Sequence, residues 1–286
     1  MDTPKGHEQN ADQIAYWNGP GGQRWARRQQ VQDVLLGPIA DILIDRAKPK
    51  TGERIVDVGC GSGATTIAFA RKVGPSGHAL GVDVSGPMLE QARASAPADA
   101  QIEFMQADAT VYPFDPGSVD LVASRFGVMF FADPAKSFAN LHGALKPSGR
   151  LAFACWREPR ENPWMMTPLQ AVYKHAPKLP QQGPEDPGPF SFASEARVRR
   201  ILDAAGFKAV AMEPCNLALD IAIGGGLEAA VRGALDIGPA SRALEDQPAA
   251  VREAAMQSIR EALAPHVKGD TVPLPAAIWI VTARYA

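Results

Sequence analysis

Three glycines and three aspartates are the residues whose types and spacing suggest chemistry. The glycines alternate at Gly59, Gly61 and Gly63, and the aspartates are Asp57, Asp83 and Asp108. Alternating glycines let a backbone turn tightly and let a ligand lie against it. A carboxylate accepts hydrogen bonds through two oxygens, which suits a pair of ribose hydroxyls. The combination predicts a site for the polar part of a nucleotide-like cofactor.

Predicted strands and a helix must position these residues. The apolar run Arg54–Val58 predicts a short buried strand before the glycines, and an apolar helical pattern follows them. Residues 79–84 and 102–105 predict two further strands, which end beside Asp83 and Asp108. A helix N-terminus supplies free N–H groups and partial positive charge, so a strand–turn–helix unit can hold the polar head of such a cofactor.

The glycines alone leave the cofactor open. Gly59, Gly61 and Ala64 also fit the G-x-G-x-x-G/A pattern of NAD-binding folds, and Asp83 suits either kind of site. That alternative, an NAD(P)-dependent oxidoreductase, does not explain Asp57 or Asp108. It would be favoured by a Tyr-x-x-x-Lys pair, but the chain offers only Tyr-Lys at 173–174. The oxidoreductase is therefore the minor alternative.

The order of these acids and glycines resembles the class I S-adenosylmethionine (SAM)-dependent methyltransferases. That family has an acid two residues before the first glycine, an acid after its second strand and Asp-Ala after its third. Residues 83–89, 114–122 and 145–151 resemble its second motif, its fourth strand and the turn into its fifth strand. The chain is most similar to the type 11 group, which resembles the ubiquinone and menaquinone biosynthesis methyltransferases. The resemblance is strong over residues 50–156.

Strands and helices alternate from residue 54 to 156, which predicts a mostly parallel sheet with helices on both faces. The resemblance completes an α/β, Rossmann-like fold, with a seven-stranded, mostly parallel sheet, an antiparallel last strand beside strand five, and helical cap insertions. The expected segments are an N-terminal helical lid (1–50), the SAM-binding core (51–156), a loop and short-helix insertion (157–193), a core helix and strand (194–213), a helical substrate cap (214–275) and the final core strand (276–286).

Local signals place several boundaries within that fold. Ser85, Asp133 and Ser194 are expected to cap helices, since each precedes a helical pattern. Residues 17–22, Trp-Asn-Gly-Pro-Gly-Gly, predict a turn before one long helix, and residues 209–213 predict strand six.

The resemblance also implies a set of cofactor-binding residues: Trp17, Trp25, Asp57, Gly59, Gly61, Gly63, Asp83, Val84, Met88, Asp108, Ala109, Ser124 and Arg125. The glycines would meet the methionyl part, and Asp57 would fix the loop or accept from the ammonium. Asp83 would bind the ribose. Asp108 and the Ala109 N–H would bind the adenine, between Val84 and Met88.

Several of these roles have plain structural alternatives. Met88 suits ordinary core packing as well, and Arg125 suits a surface ion pair or a substrate carboxylate as well as the cofactor. Trp17 and Trp25 would fold over the sulfonium, which an aromatic face attracts, or would pack on the helix beneath.

The methyl acceptor is expected at the carboxyl edge of the sheet, where open α/β sheets bind ligands. Bulky residues follow strands four and five there, some of which would be plain core: Phe126, Met129, Phe130, Trp156 and Trp164. Such a wall suits an apolar or aromatic acceptor. In-line transfer needs little beyond placement, and no catalytic base is identified; His142, His175, His266 and Glu158 are weak candidates. The Asp/Asn-Pro-Pro-Tyr/Phe tetrapeptide of amino-group methylases is absent from this place.

The composition limits the classes of partner that the protein is expected to bind. The net charge of −2 and pI near 6.2 provide no basic field for nucleic acid. Residues 1–13 lack the apolar core of a signal peptide, and no apolar run reaches membrane-spanning length, so a cytoplasmic protein is expected. Cys60, Cys155 and Cys215 suit buried apolar positions and no metal site. A homodimer is compatible with the sequence.

The sequence thus predicts a SAM-dependent methyltransferase that forms S-adenosylhomocysteine. Its acceptor would be a small apolar or aromatic molecule, phenolic, quinone-like or lipid-related. The alternative from another class is a non-catalytic SAM-binding sensor or partner subunit, because every cofactor motif is present and no acceptor-side base is evident.

Overall fold

The computed structural model describes residues 10–98, 100–181, 183, 185–236 and 238–285. Its strands are β1 (Arg54–Val58), β2 (His78–Asp83), β3 (Ile102–Gln106), β4 (Val119–Arg125), β5 (Leu145–Trp156), β6 (Lys208–Asp220) and β7 (Pro273–Arg284). Its helices are α1 (Ala11–Asn18), α2 (Pro20–Arg27), α3 (Gln29–Ala47), α4 (Ala64–Val73), α5 (Gly86–Ser95), α6 (Pro134–Ala144), α7 (Pro163–Val172), α8 (Glu195–Ala204), α9 (Gly226–Asp236), α10 (Pro239–Ala243) and α11 (Ala249–Leu263). Every predicted segment except 194–213 includes positions outside the described residues.

The described strands form one seven-stranded sheet in the order β3-β2-β1-β4-β5-β7-β6. Strands β1 to β5 are parallel, and β7 lies antiparallel between β5 and β6. This confirms the predicted Rossmann-like fold and the place of the last strand. Because β1 pairs with both β2 and β4, the strand order reverses there, and a ligand crevice is expected at its carboxyl end.

Three strands differ in extent from the prediction. Strand β4 begins at Val119, because residues before it form a turn in which the Ser118 hydroxyl donates to the Asp115 carbonyl at 2.7 Å. Strands β6 and β7 pair from Lys208–Arg284 to Asp220–Pro273, so residues 214–220 and 273–275, predicted as cap, are strand. Pro214 lies within β6, which is an edge strand, where proline is tolerated.

The N-terminal segment is three helices, so the turn predicted at 17–22 is wrong beyond Gly19. Pro20 begins α2, where a missing N–H costs nothing. The glycines that follow allow close packing of α2 on α1, since a Cβ on Gly22 would lie 1.8 Å from the Trp17 carbonyl oxygen. At these two positions glycine therefore permits close contact between helices and does not form a turn.

The cap helices α9 and α11 form the second apolar cluster of the protein with α7. Val231 in α9 and Ala255 and Ile259 in α11 are buried in it, as their helical spacing predicts. The main cluster lies around the sheet, and Trp164 in α7 packs against both clusters.

Other local predictions hold in part. The side chains of Ser85, Asp133 and Ser194 cap α5, α6 and α8. Cys60 and Cys155 are buried, whereas Cys215 is half-buried, so the prediction of a buried position is wrong for Cys215. Of the helices in the described ranges, none is both long and apolar enough to span a bilayer.

Candidate functional site

The glycine loop joins β1 to α4 in a conformation that only glycine adopts easily. Gly59, Gly61 and Gly63 have φ values of 66°, 56° and 85°. A Cβ on Gly59 would lie 2.6 Å from the Cα of Gly127, and one on Gly63 would lie 2.7 Å from the Phe104 ring. The loop is thereby pressed against the segment after β4, with the N-terminus of α4 behind it.

Asp57 is a buried carboxylate with one free oxygen. Its side chain is 1% exposed, and Oδ2 accepts from the Thr66 hydroxyl at 2.7 Å. Oδ1 is buried and has no hydrogen-bond partner among the described residues. Burial raises the pKa of Asp57 to about 7, against the lowering effects of the Thr66 bond and of the Arg125 charge. The site therefore holds an acceptor oxygen that lacks a donor.

Asp83, at the end of β2, connects two loops. Its Oδ2 accepts from Gly61 N at 2.8 Å, and its Oδ1 accepts from Ser85 N at 2.8 Å. Burial raises the pKa of Asp83, and these backbone N–H groups oppose the rise. Each carboxylate oxygen retains a second lone pair, so the contact with ribose hydroxyls stays a prediction that this geometry allows.

Asp108 lies after β3 and is buried. Oδ1 accepts from Thr110 N at 3.0 Å, and Oδ2 accepts from Asn10 Nδ2 at 3.2 Å. The neighbouring Ala109 is also buried, and its carbonyl accepts from the Asn140 amide at 3.0 Å. Their predicted roles in adenine binding are not tested by these contacts.

Val84 and Met88 flank the loop after β2. Met88 is buried, and a Cβ on Gly61 would lie 3.7 Å from its sulfur, so Met88 adjoins the glycine loop. The Val84 carbonyl accepts from the amides of Asn18 and Gln106 at 2.8 and 3.1 Å. The places of Val84 and Met88 on either side of the adenine stay a prediction.

The Ser124 hydroxyl is used within the protein. It donates to the Val58 carbonyl at 2.7 Å and accepts from Gly127 N and Val128 N at 3.1 and 3.3 Å. Ser124 is fully buried and thus ties the end of β1 to the turn after β4. Any contact of Ser124 with the cofactor would come from its backbone, as predicted.

Arg125 is a half-buried guanidinium beside the sheet edge. Its Nη1 donates to the Leu36 carbonyl at 3.3 Å. Burial lowers its pKa, and the nearby charges of Asp33 and Asp57 oppose that shift. The exposed surface ion pair considered from sequence is wrong, because Arg125 faces α3 and two acids at the site. Its contact with cofactor or substrate stays a prediction.

The N-terminal helices cover this edge of the sheet. The Trp17 ring lies edge-on to the rings of Trp25 and Phe130, with centroids 6.1 and 5.3 Å apart. The Trp17 carbonyl accepts from the Ser85 hydroxyl at 2.6 Å. Asn18 Nδ2 donates to the Val84 carbonyl at 2.8 Å, and Asn18 Oδ1 accepts from Gly86 N at 3.1 Å. The segment is therefore fastened over the loop after β2.

An aromatic stack leads away from the glycine loop. Phe126 lies parallel to Trp156 at 4.2 Å, and Trp156 lies 5.1 Å from Trp164. Phe126 has φ +70°, a left-handed conformation that costs an ordinary side chain about 1–2 kcal/mol. Such strain is found most often at functional sites. The stack brings three of the predicted acceptor residues together.

The far end of the stack borders a small apolar cavity that is partly open to solvent. Trp164 and helices α3, α7, α9 and α10 enclose it, through Val31, Leu35, Met165, Pro168, Ile221, Gly233, Ala234, Gly238, Pro239 and Ala240. None of these described lining residues carries a titratable side chain. The Trp164 indole N–H is buried without a hydrogen-bond partner among the described residues.

Met129 and the weak base candidates lie outside this cavity lining. Met129 is 1% exposed in the main apolar cluster, and its carbonyl accepts from the Ser191 hydroxyl at 2.6 Å. Its side chain packs in the core, and its contact with an acceptor stays a prediction. His142 stacks on Tyr285, and His175 bonds to the Ser258 hydroxyl at 2.8 Å. Among the described residues, no cluster of His, Cys, Asp or Glu side chains could hold a metal ion.

Two groups of site residues escaped sequence reasoning. Asn10 and Asn18 contact the loops after β3 and β2, across separations of 98 and 66 residues. Val31 and Leu35 line the cavity from α3. Their i, i+4 spacing shows a shared helix face, which could have suggested a second apolar surface.

Sequence comparison adds independent findings. The family described as "Methyltransferase domain" matches residues 55–149. The aklanonic acid methyltransferase DauC of Streptomyces sp. (strain C5) is 37% identical over 118 residues, 41% of this chain and 54% of that protein. The demethylmenaquinone methyltransferase of Lactobacillus johnsonii is 30% identical over 183 residues, 60% of this chain and 75% of that protein. The chain thus spans about half of the first relative and three quarters of the second.

Structural comparison concerns the fold. The YcgJ protein of Bacillus subtilis superposes with a TM-score of 0.56 at 18% identity, over 87% of this chain and 99% of that chain. The same sheet and helix arrangement therefore occurs in a chain whose sequence has diverged widely.

Proposed function

The chain belongs to the class I SAM-dependent methyltransferases, in the group of the ubiquinone and menaquinone biosynthesis enzymes, and on this premise we propose that it methylates a planar, oxygen-bearing aromatic small molecule. The observation that carries the proposal is the apolar cavity under the cap, which the stack of Phe126, Trp156 and Trp164 connects to the glycine loop.

The residues of the site fit SAM. The unpartnered Oδ1 of Asp57 suits the ammonium of the methionyl part, because a buried acceptor without a donor is unfavourable until a ligand supplies one. Gly59, Gly61 and Gly63 give the loop its tight positive-φ turn, Gly61 has no neighbour closer than the Met88 sulfur on its open side, and Asp83 retains lone pairs for the ribose. When bound, SAM supplies a methyl group on a sulfonium, which is a good leaving group.

The protein's contribution to transfer is placement and the exclusion of water. The Trp17 ring of the lid and the Phe130 ring after β4 cover the sheet edge, and the aromatic stack offers a flat surface to an acceptor. Holding two reacting groups in line supplies much of the rate of such a displacement, and a dry site favours the transfer of charge. The strained Phe126 backbone fixes one ring of this surface.

The cavity also limits the acceptor's chemistry. Since none of its described lining side chains can take up a proton, the acceptor has to be nucleophilic by itself or acidic enough to ionise. Phenols, hydroquinones and enols meet this requirement. The buried N–H of Trp164 would be satisfied by an oxygen of such an acceptor. The name of one relative agrees, since demethylmenaquinone is a quinone.

The test is transfer of the labelled methyl group of SAM to a panel of acceptors, followed by mass spectrometry of the products. The panel holds 1,4-naphthohydroquinone, a hydroxyanthraquinone, a simple phenol and phosphoethanolamine. We expect a product gain of one methyl group on the hydroquinone or the anthraquinone and none on phosphoethanolamine. Methylation of phosphoethanolamine alone, or of no oxygen-bearing aromatic, would contradict the proposal.

A pair of variants tests the place of the acceptor. Ala234→Phe puts a ring into the cavity and should abolish turnover while leaving SAM affinity unchanged. Ala250→Phe makes the same substitution at an exposed position of cap helix α11 and should leave turnover intact. Equal activity of the two variants would place the acceptor elsewhere.

A further inference from the structure

We propose that Asn10, in the N-terminal lid, recognises the 6-amino group of the cofactor's adenine together with Asp108. The inference rests on SAM as the cofactor and is independent of the acceptor. It gives the lid a part in choosing the nucleobase, in addition to covering the site.

The first observation is an unsatisfied amide. Asn10 is 6% exposed, and its Nδ2 donates to Asp108 Oδ2 at 3.2 Å. Its Oδ1 is buried and has no hydrogen-bond partner among the described residues. A buried acceptor without a donor is unfavourable, so this oxygen is poised to accept from a ligand. This oxygen belongs to the side-chain amide of Asn10, whose Nδ2 already contacts Asp108, the carboxylate that is expected to bind the adenine.

The second observation is the position of α1. Asn10 precedes the first turn of this helix, and Asn18 ends it with bonds to the Val84 carbonyl and to Gly86 N. A helix of eight residues is about 12 Å long. It therefore runs from the loop after β3 to the loop after β2, and these two loops bound the region predicted for the adenine. No other described contact brings the lid to Asp108.

The chemistry of the adenine edge fits this pair. An exocyclic amino group has two N–H donors, and the site offers two acceptors, Asp108 Oδ2 and Asn10 Oδ1. Asp108 Oδ1 already accepts from Thr110 N at 3.0 Å. A base with an oxo group at the same position has no donor there and would face two acceptor oxygens. The arrangement thus favours adenine over hypoxanthine.

The experiment is isothermal titration with S-adenosylhomocysteine and S-inosylhomocysteine, which differ in the group at position 6 and in the proton on N1, so the change in their ratio on substitution of Asn10 is the quantity that reports on this residue. The wild type should bind the adenosyl compound at least 30-fold more tightly. Asn10→Ala should weaken its binding about tenfold, the loss expected for one hydrogen bond, and leave the inosyl compound nearly unchanged. The ratio of the two affinities should therefore fall.

Asn18→Ala is the matched control, because it loosens the same helix at the end away from Asp108. It should weaken both ligands by one factor and leave their ratio unchanged. Equal losses of both ligands in Asn10→Ala would give Asn10 a structural role only and overturn the proposal. Tighter binding of the adenosyl compound by Asn10→Ala would also overturn it, since Asn10 would then compete with the base.

Two further outcomes separate this inference from the proposed function. A wild type that does not discriminate between the two compounds contradicts the role of Asn10, whatever the acceptor. A wild type that discriminates but methylates no quinone or phenol contradicts the proposed acceptor only. The unfolding temperature of Asn10→Ala should stay close to that of the wild type. Asn10 precedes the first helix, and its side chain makes one hydrogen bond to the core, to Asp108.

Discussion

Asp57→Asn should make the protein more stable and a poorer binder of SAM, with both effects set by pH. Asp57 is buried in β1, and its charged form lacks a partner at Oδ1. Its pKa is raised from 3.8 to about 7 by burial. An asparagine keeps the shape and can accept from Thr66 as the carboxylate does, but it has no charge to bury.

The size of the stability effect follows from the two pKa values. One pKa unit corresponds to about 1.4 kcal/mol, so a folded-state pKa about three units above the unfolded one costs about 4 kcal/mol once Asp57 is ionised in both states. The contribution of Asp57 to the free energy of unfolding of the wild type is fully present below about pH 4 and is lost as the pH rises through about 7. The advantage of Asp57→Asn should thus be near zero at pH 4 and about 4 kcal/mol at pH 8.

The assay is urea unfolding of both proteins at pH 4.5, 6 and 8, each pair compared at the same pH. Titrating groups away from the site affect both proteins alike, so the difference reports Asp57 together with the charges that interact with it. A difference in unfolding free energy that does not change with pH, or a variant less stable than the wild type at pH 8, would refute the argument.

Ligand binding provides the complementary measurement. The charged bond to the cofactor's ammonium is worth about 1.5–3 kcal/mol, so Asp57→Asn should weaken SAM binding about tenfold or more. Wild-type affinity should rise with pH up to about 7, because binding requires the ionised carboxylate. 5′-Methylthioadenosine lacks the amino acid part and should bind both proteins equally. Equal loss of both ligands would mean that Asp57 supports the loop alone.

Two further substitutions, each with a matched control, test how the glycine loop is held. Ser124→Ala removes a buried hydroxyl that bonds to three backbone groups, and should lower the free energy of unfolding by about 2–4 kcal/mol; Ser118→Ala, in an exposed turn, should cost less than about 1 kcal/mol. Gly59→Ala adds a Cβ 2.6 Å from the Gly127 backbone at φ +66° and should abolish SAM binding in titration. Gly117→Ala, at φ +61° with open space around it, should cost about 1–2 kcal/mol and leave SAM affinity unchanged.

The sequence predicted best those features that depend on residues close together in the chain. The glycine loop, the acid after β2 and the cap at Ser85 each involve residues close together in the chain, and their types restrict the backbone directly. The mostly parallel sheet was predictable because alternating strands and helices allow few connections, whereas the antiparallel last strand followed from the family resemblance. The same signals misplaced the glycines at 21–22, since glycine permits a tight turn and a close helix contact equally well.

The acceptor side was less predictable because it depends on contacts between distant segments. Phe126, Trp156 and Trp164 were identifiable from their places after strands, but their stacking depends on how α7 returns to the sheet. Periodicity indicates that a helix has an apolar face without showing whether that face meets the core or a cavity. The apolar face of α3 that carries Val31 and Leu35 meets the cavity.

The N-terminal helices contact both the loops predicted to bind the cofactor and the apolar cavity. Through Asn10 and Asn18, α1 contacts the loops that are expected to hold the cofactor, while α3 forms one wall of the cavity that we propose for the acceptor. Ion pairs of Arg24 with Glu245 and of Arg28 with Asp236 join the lid to the cap. Each exposed pair contributes little stability, about 1 kcal/mol or less, so the N-terminal helices are held mainly by their hydrogen bonds to the loops and by the burial of Leu36, Ile39 and Leu43 in the core. Displacing these helices would therefore disturb the cofactor loops and the cavity together.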